Sequence, residues 1–245
     1  MKGICFIESL FHKVVKGEKT QTRRIITPQP EYSDRVGMIY KGLCYGIGFN
    51  NPKDAYYNFS NNSNAARYQV GEKVYLKEPY AETCDEYGSP LIAYRFDNTA
   101  FYLVRKDGNG DYYQLNTIKK PVSTNWTLDN FPACGEWKNK LFMPQWAARY
   151  FIEITAVRAE RLQDITEADC VREGIEYNLE AVLIGYPFGA EFPYNNGFHN
   201  YTTAKEAYAA LINKISGKGT WEKNPFVWVY DFKLIDKNET IFIKF

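Results

Sequence analysis

Apolar and polar positions alternate in blocks along the 245-residue chain. Residues 3–8 read as a short strand. Ser9 then caps a helix predicted over 9–16, with Leu10, Phe11, Val14 and Val15 on one side and Gly17 as its stop. Strand character resumes at 72–80, where Val74, Leu76 and Glu78 interleave with Tyr75, Lys77 and Pro79. It returns at 91–96 and 101–105, before an Asp107-Gly108-Asn109-Gly110 turn that precedes Tyr112-Tyr113. Residues 148–162 are β-rich, and a helix over 166–173 follows, opened by a Thr166/Asp169 capping-box pattern and stopped by Gly174. A second helix over 203–216 carries Ala204, Ala207, Tyr208, Leu211, Ile212 and Ile215 as one apolar stripe. Thr203 and Glu206 open it and Gly217 closes it. Strands over 226–235 and 240–245 complete the pattern.

Residues 28–68 hold three prolines, four glycines and an Asn/Ser run, and predict an insertion or long loop. Short strands, long connections and three modest helices indicate a β-rich α+β domain. The strand–helix–strand alternation of a doubly wound parallel sheet is missing. The C-terminal strands have no obvious partners of their own, so one domain over residues 1–245 with insertions is expected.

Composition narrows the function classes. Lys and Arg number 30 against 29 Asp and Glu, a net charge of +1, which argues against a polybasic nucleic-acid binder. Aromatics at 17% argue against a disordered tail protein. No stretch approaches the ~20 apolar residues of a membrane span. The first apolar run ends at Glu8 without a small-residue cleavage site, unlike a signal peptide. Five scattered cysteines with no CxxC pair, and only His12 and His199 beside them, predict a reducing cytoplasm and no bound metal.

The densest polar signal runs from Lys13 to Arg24, where Lys13, Lys16, Lys19, Arg23 and Arg24 face only Glu18, a local charge of +4. Arg forks and Lys point charges suit phosphate oxygens; equally, lysines can neutralise a helix C-terminus. A small pocket for one or a few nucleotides fits this distribution better than a long electrostatic groove.

The same segment, Gly17-x-Lys19-Thr20-x-Thr22-x-Arg24, followed by Tyr68-x-Val70-Gly71-Glu72-x-Val74, resembles the ASCH domain of the PUA-like superfamily. Further blocks resemble its long phage and prophage version: Tyr68–Tyr80, Phe142-Met143-Pro144-Gln145-Trp146-Ala147-Ala148-Arg149, Leu162–Thr166, Glu173-Gly174-Ile175 and Trp221–Val229. Together they cover about a third of the chain, in order. Lys77, Tyr80 and Gln145 depart from the Arg, Trp and Arg usual in those relatives. The resemblance implies a partly open PUA-like β-barrel with flanking helices. Its core would span about 1–27, 67–82, 141–177 and 203–245, with insertions at about 28–66, 83–140 and 178–202. It also implies a bacterial, phage- or prophage-encoded cytoplasmic protein without a cofactor.

PUA-like relatives bind RNA or modified bases, so the resemblance implies RNA, single-stranded nucleic acid or a modified nucleoside as partner. Some short bacterial ASCH proteins are amidohydrolases that deacetylate N4-acetylcytidine, with a Lys, a Thr and a Glu corresponding to Lys19, Thr22 and Glu173. In that chemistry Thr22 attacks the amide carbonyl, Lys19 takes its proton, and Glu173 holds Lys19 or the developing charge. A lysine base needs burial or a neighbouring cation such as Arg23 or Arg24 to lose its proton near neutral pH. On a flat strand Lys19 and Thr22 face opposite sides, so the chain must turn after Gly17. Glu173 falls opposite Ala168 and Val171 on its helix, which also suits a solvated helix-end carboxylate.

Glu78 and Arg149 can read a base edge across a cleft while Trp146 or Tyr80 stacks on its face, or they can form a structural ion pair. Trp228 lies in an apolar strand and belongs to the core. Cys170 reads as a small buried hydrophobe. Lys214, Lys218 and Lys223 form a second basic patch, and the histidines take no role. A third reading makes the chain a phage accessory or assembly protein, with its insertions as the contact surface.

Overall fold

The structure is a computed structural model that describes residues 1–45, 52–61, 63–85, 87–105, 113–115, 122–123, 136–178, 182, 185–191 and 198–235. The expected turn at 107–110 and the strand at 240–245 lie outside these residues. Strand β1 (Lys2–Cys5), helix α1 (Glu8–Val15) and strand β2 (Gln21–Ile25) come first. The helix begins at Glu8, so Ser9 sits inside it and does not cap it. Next come β3 (Glu31–Ser33), β4 (Gly37–Tyr40), β5 (Leu43–Tyr45) and α2 (Pro52–Asn61), in a segment expected to be an insertion or long loop.

The middle of the chain is strand: β6 (Lys73–Lys77), β7 (Tyr80–Cys84), β8 (Pro90–Tyr94) and β9 (Thr99–Arg105), then the short β10 (Tyr113–Leu115) and β11 (Val122–Ser123). The long β12 (Phe151–Arg161) leads into α3 (Glu167–Arg172). After it come β13 (Glu176–Tyr177), β14 (Phe188–Glu191), β15 (Phe198–Tyr201), α4 (Ala204–Ser216), α5 (Thr220–Lys223) and β16 (Phe226–Ile235). The fold is mixed α+β, and no sheet among the described residues closes into a barrel. No described helix is long and apolar enough to cross a membrane.

Two compact units divide the chain, each made of discontinuous segments. The first holds residues 1–11, 73–152 and 235–245. In it β1 pairs β6 in parallel, with Ile4 beside Leu76, and β7, β8 and β9 form an antiparallel meander. Its core gathers Tyr75, Tyr80, Ile92, Tyr94, Met143 and Phe151.

The second unit holds residues 12–72 and 153–234. Here β16 lies between β12 and β2, and β2 runs antiparallel to it with Thr22 opposite Tyr230 and Arg23 opposite Val229. Helix α2 packs on the β3–β4–β5 sheet. Aromatic rings decide that packing: Phe59 meets Tyr40 at 5.8 Å, Trp228 at 5.6 Å and Phe226 at 6.3 Å, in edge or tilted contacts. Trp228 is core, as its strand pattern predicted. Thr166 caps α3 by accepting from the Asp169 amide, and Thr203 caps α4 by accepting from the Glu206 amide. Helix α4 packs on α3 and on the small β13–β14–β15 sheet.

Candidate functional site

The second unit assembles a buried polar cluster from the motif after Gly17. Gly17 ends α1 with φ +76°, a left-handed turn that glycine adopts without strain. The turn folds the Glu18 and Lys19 amides back onto the Lys13 carbonyl, at 2.9 and 3.1 Å. The Thr20 amide then donates to the Arg172 carbonyl, and the Thr20 carbonyl accepts from the Phe232 amide. The motif is thereby pinned between the end of α3 and β16. Because Lys19 precedes β2, strand alternation does not govern where it faces.

Lys19 is only 1% exposed, and its Nζ donates to the Glu173 backbone carbonyl and to Glu173 Oε2, both at 2.6 Å. Glu173 is the C-cap of α3 and is buried, not a solvated helix-end carboxylate. Lys13 is buried too; its Nζ donates to the Gly174 carbonyl at 2.6 Å and pairs with Glu176 at 2.7 Å. The two lysines therefore neutralise the C-terminus of α3, whose carbonyls and dipole favour cations, and not the end of the helix that precedes them.

Arg23 projects from β2 into the same cluster. Its Nη2 pairs with Glu160 at 2.6 Å and Asp169 at 3.3 Å, while its Nη1 reaches Glu173 at 3.2 Å and Gln21 Oε1 at 2.5 Å. With its side chain closed to solvent, Arg23 has no face left for a phosphate in this conformation. Arg158 joins Glu160 at 3.1 Å and Asp231 at 3.0 Å, and Arg172 contacts Asp169 and Asp231. The +4 run of the sequence is largely internal and matched by carboxylates, with Lys16 exposed and Arg24 half-buried.

Burial lowers the Lys19 pKa to about 8; Glu173 opposes the shift, and Arg24 and Arg23 add to it. A sizeable fraction of this amine is therefore neutral near pH 8. Thr22 is buried on β2 and faces away from Gln21 and Arg23 by strand alternation. No hydrogen bond joins Thr22 to Lys19 or Glu173 among the described residues. Lys19, Arg23 and Glu173 are brought together, and Thr22 is their neighbour in sequence.

The remaining sequence candidates fall in the first unit. Arg149 makes a bidentate pair with the wholly buried Glu78, Nε to Oε1 at 2.9 Å and Nη2 to Oε2 at 2.5 Å. Its Nη1 donates to Asp97 at 2.7 Å and Thr99 at 2.9 Å. The guanidinium lies 4.0 Å from the Tyr94 ring centroid and 5.1 Å from that of Tyr150. Burial, opposed by Arg149, pushes the Glu78 carboxyl up to about 7. Tyr80 is buried in the core of this unit, so its ring is already covered. Trp146, at 37% exposed, is the most exposed tryptophan among the described residues.

Sequence reasoning missed Glu160, Asp169, Gln21 and Tyr208 as members of the Lys19 cluster. The signal available was Gln21-x-Arg23, two polar residues on one face of a strand beside a buried one. Among the described residues no group of His, Cys, Asp and Glu is arranged to hold a metal. Compared with protein-family models, curated proteins and solved structures, the chain matches none.

Proposed function

We propose that the second unit carries an ASCH-type, PUA-like site that binds RNA or a modified nucleoside through a single base, received at Lys19 and Glu173. The observation that supports this reading most directly is the buried Lys19–Glu173 pair inside the Gly17–Arg24 motif, with Lys19 held near pKa 8. A buried, half-neutral amine beside a carboxylate offers a donor and an acceptor to the edge of a base, the pattern by which unstacked bases are read. Both side chains are closed to solvent, so entry of a base is coupled to opening of the cluster.

Titration with cytidine, N4-acetylcytidine, short RNA and single-stranded DNA at several salt concentrations tests the reading. Binding is expected to weaken on the order of tenfold or more in Lys19→Ala with Arg24→Ala, with a shallow salt dependence because few phosphates are contacted. Equal affinity of wild type and the double variant overturns it.

The lowered Lys19 pKa also favours a second reading, hydrolysis of an N4-acylated cytosine nucleoside. Thr22 Oγ adds to the acyl carbon as neutral Lys19 accepts its proton. The C–N bond breaks as Lys19 returns a proton to the leaving amine, and water then hydrolyses the acyl-threonine. Incubation with N4-acetylcytidine, read as cytidine and acetate released, decides it: no turnover above a Thr22→Ala control rejects hydrolysis of that substrate.

A further inference from the structure

Helix α4 turns Tyr208 inward, where it is 2% exposed, and the edge of its ring packs on Trp221 at 6.3 Å and 77°. Its hydroxyl is buried and makes no hydrogen bond among the described residues. Helix α4 packs on α3, the helix that ends at Glu173, and Glu173, Arg23, Cys170 and Glu160 act electrostatically on that hydroxyl, which places it beside the Lys19 cluster. Those neighbours are engaged with one another: Arg23 alone holds Glu160, Asp169, Glu173 and Gln21. Leaving a buried polar group without a partner destabilises the fold, and a ligand atom placed against it removes that cost.

Charge limits what that ligand is. The linked side chains comprise four cations, Lys19, Arg23, Arg158 and Arg172, and four carboxylates, Glu160, Asp169, Glu173 and Asp231. Within that linked set the charges balance, so an anion such as phosphate gains no net charge pairing from it, and burying an anion unpaired is costly. Burial and Glu173 keep the phenol protonated, so it acts as a donor and calls for an acceptor.

We propose that Tyr208 is a ligand-contacting residue of the Lys19–Glu173 site, donating its hydroxyl to the ring carbonyl of an uncharged base. The inference rests on the base-binding reading above and deepens it by naming the contact and the charge state of the group received.

Calorimetric titration and thermal melting of the full chain, wild type and Tyr208→Phe, with cytidine, N4-acetylcytidine and inorganic phosphate, test it. Wild type is expected to bind at least one nucleoside and to give no shift with phosphate. Tyr208→Phe is expected to weaken the nucleoside on the order of tenfold while melting no lower than wild type without ligand. Wild-type nucleoside affinity in Tyr208→Phe overturns the inference alone. A lower ligand-free melting temperature also overturns it, because the hydroxyl then serves the fold through a buried water or protein group. A phosphate shift that disappears in Tyr208→Phe overturns the uncharged class. Failure of wild type to bind either nucleoside rejects the base-binding reading, and this inference with it.

Discussion

Each of the two units buries an arginine among carboxylates, and the two clusters are built differently. Around Arg149, every guanidinium nitrogen has an acceptor: Nε and Nη2 hold Glu78, and Nη1 is shared by Asp97 and Thr99. Aromatic rings flank the guanidinium plane. Around Arg23, the network extends to a lysine whose pKa burial lowers to about 8, and beside it lies a phenol with no hydrogen-bond partner among the described residues. Arginine stays charged at any physiological pH, whereas a buried lysine can lose its proton. A saturated cluster specifies structure; a cluster with an unmet hydrogen bond retains capacity for a ligand. On the proposed reading, that contrast gives the first to the fold and the second to the site.

The largest effect that tests the contrast is expected from Arg149→Ala, which leaves Glu78 buried without its cation. Loss of a buried partner costs about 3–5 kcal/mol, to be read as a drop in the urea midpoint. Nucleoside affinity of the remaining folded protein should not change. A loss below about 1 kcal/mol would mean that the Arg149 cluster is not the structural one.

Lys19→Met is expected to do the opposite. Turnover of N4-acetylcytidine, on the hydrolytic reading, falls by about 10²–10⁴-fold. The urea midpoint moves less than in Arg149→Ala, because Arg23 still pairs with Glu173. A stability loss as large as that of Arg149→Ala would erase the distinction between the clusters.

The two clusters should also respond to pH with opposite signs. Between about 8 and 10.5, unfolded Lys19 holds a proton that folded Lys19 has lost, so its contribution to stability rises with pH. Between 4.5 and about 7, folded Glu78 holds a proton that the unfolded chain has lost, so its contribution falls as pH rises. Each slope is at most about 1.4 kcal/mol per pH unit. Stability profiles of wild type against Lys19→Met and Glu78→Gln should each lose one of these slopes and keep the other.

The smallest effect is local. Thr166→Ala removes the cap that starts α3, the helix bearing Asp169 and Glu173, and should cost about 1 kcal/mol in the denaturation midpoint. It should weaken nucleoside binding more than the equivalent Thr203→Ala in α4. Equal effects on binding would separate the site from the placement of α3.

Features governed by local chemistry were legible in the sequence. Helices α3 and α4 fall where the Thr caps and the stops at Gly174 and Gly217 put them, and β6, β8, β9, β12 and β16 follow the apolar runs. The chain from 31 to 61 was not legible, because Tyr40 and Phe59 are ordered by Trp228 and Phe226 from the far end of the sequence. Helix α3 misled for the same reason. Its pattern put Val171 inside, yet Val171 is 42% exposed while Asp169 is 5% exposed, because the partners of Asp169 come from β2 and β12. Tyr208 was legible as part of an apolar stripe; the unmet hydroxyl at the end of its ring was not.

The pairing of β2 with β16 has a consequence for biosynthesis. Gln21 and Asp231, hydrogen-bonded at 2.5 Å, are 210 residues apart. On the ribosome, Lys19 and Arg23 are made well before the carboxylates they pair with, and β2 waits for a partner strand whose Asp231 follows Gln21 by 210 residues. Meanwhile the nascent chain displays a cationic segment with nothing native to bind. A message cut short before Glu160 would leave that segment without its carboxylates, a state open to capture by chaperones or proteases.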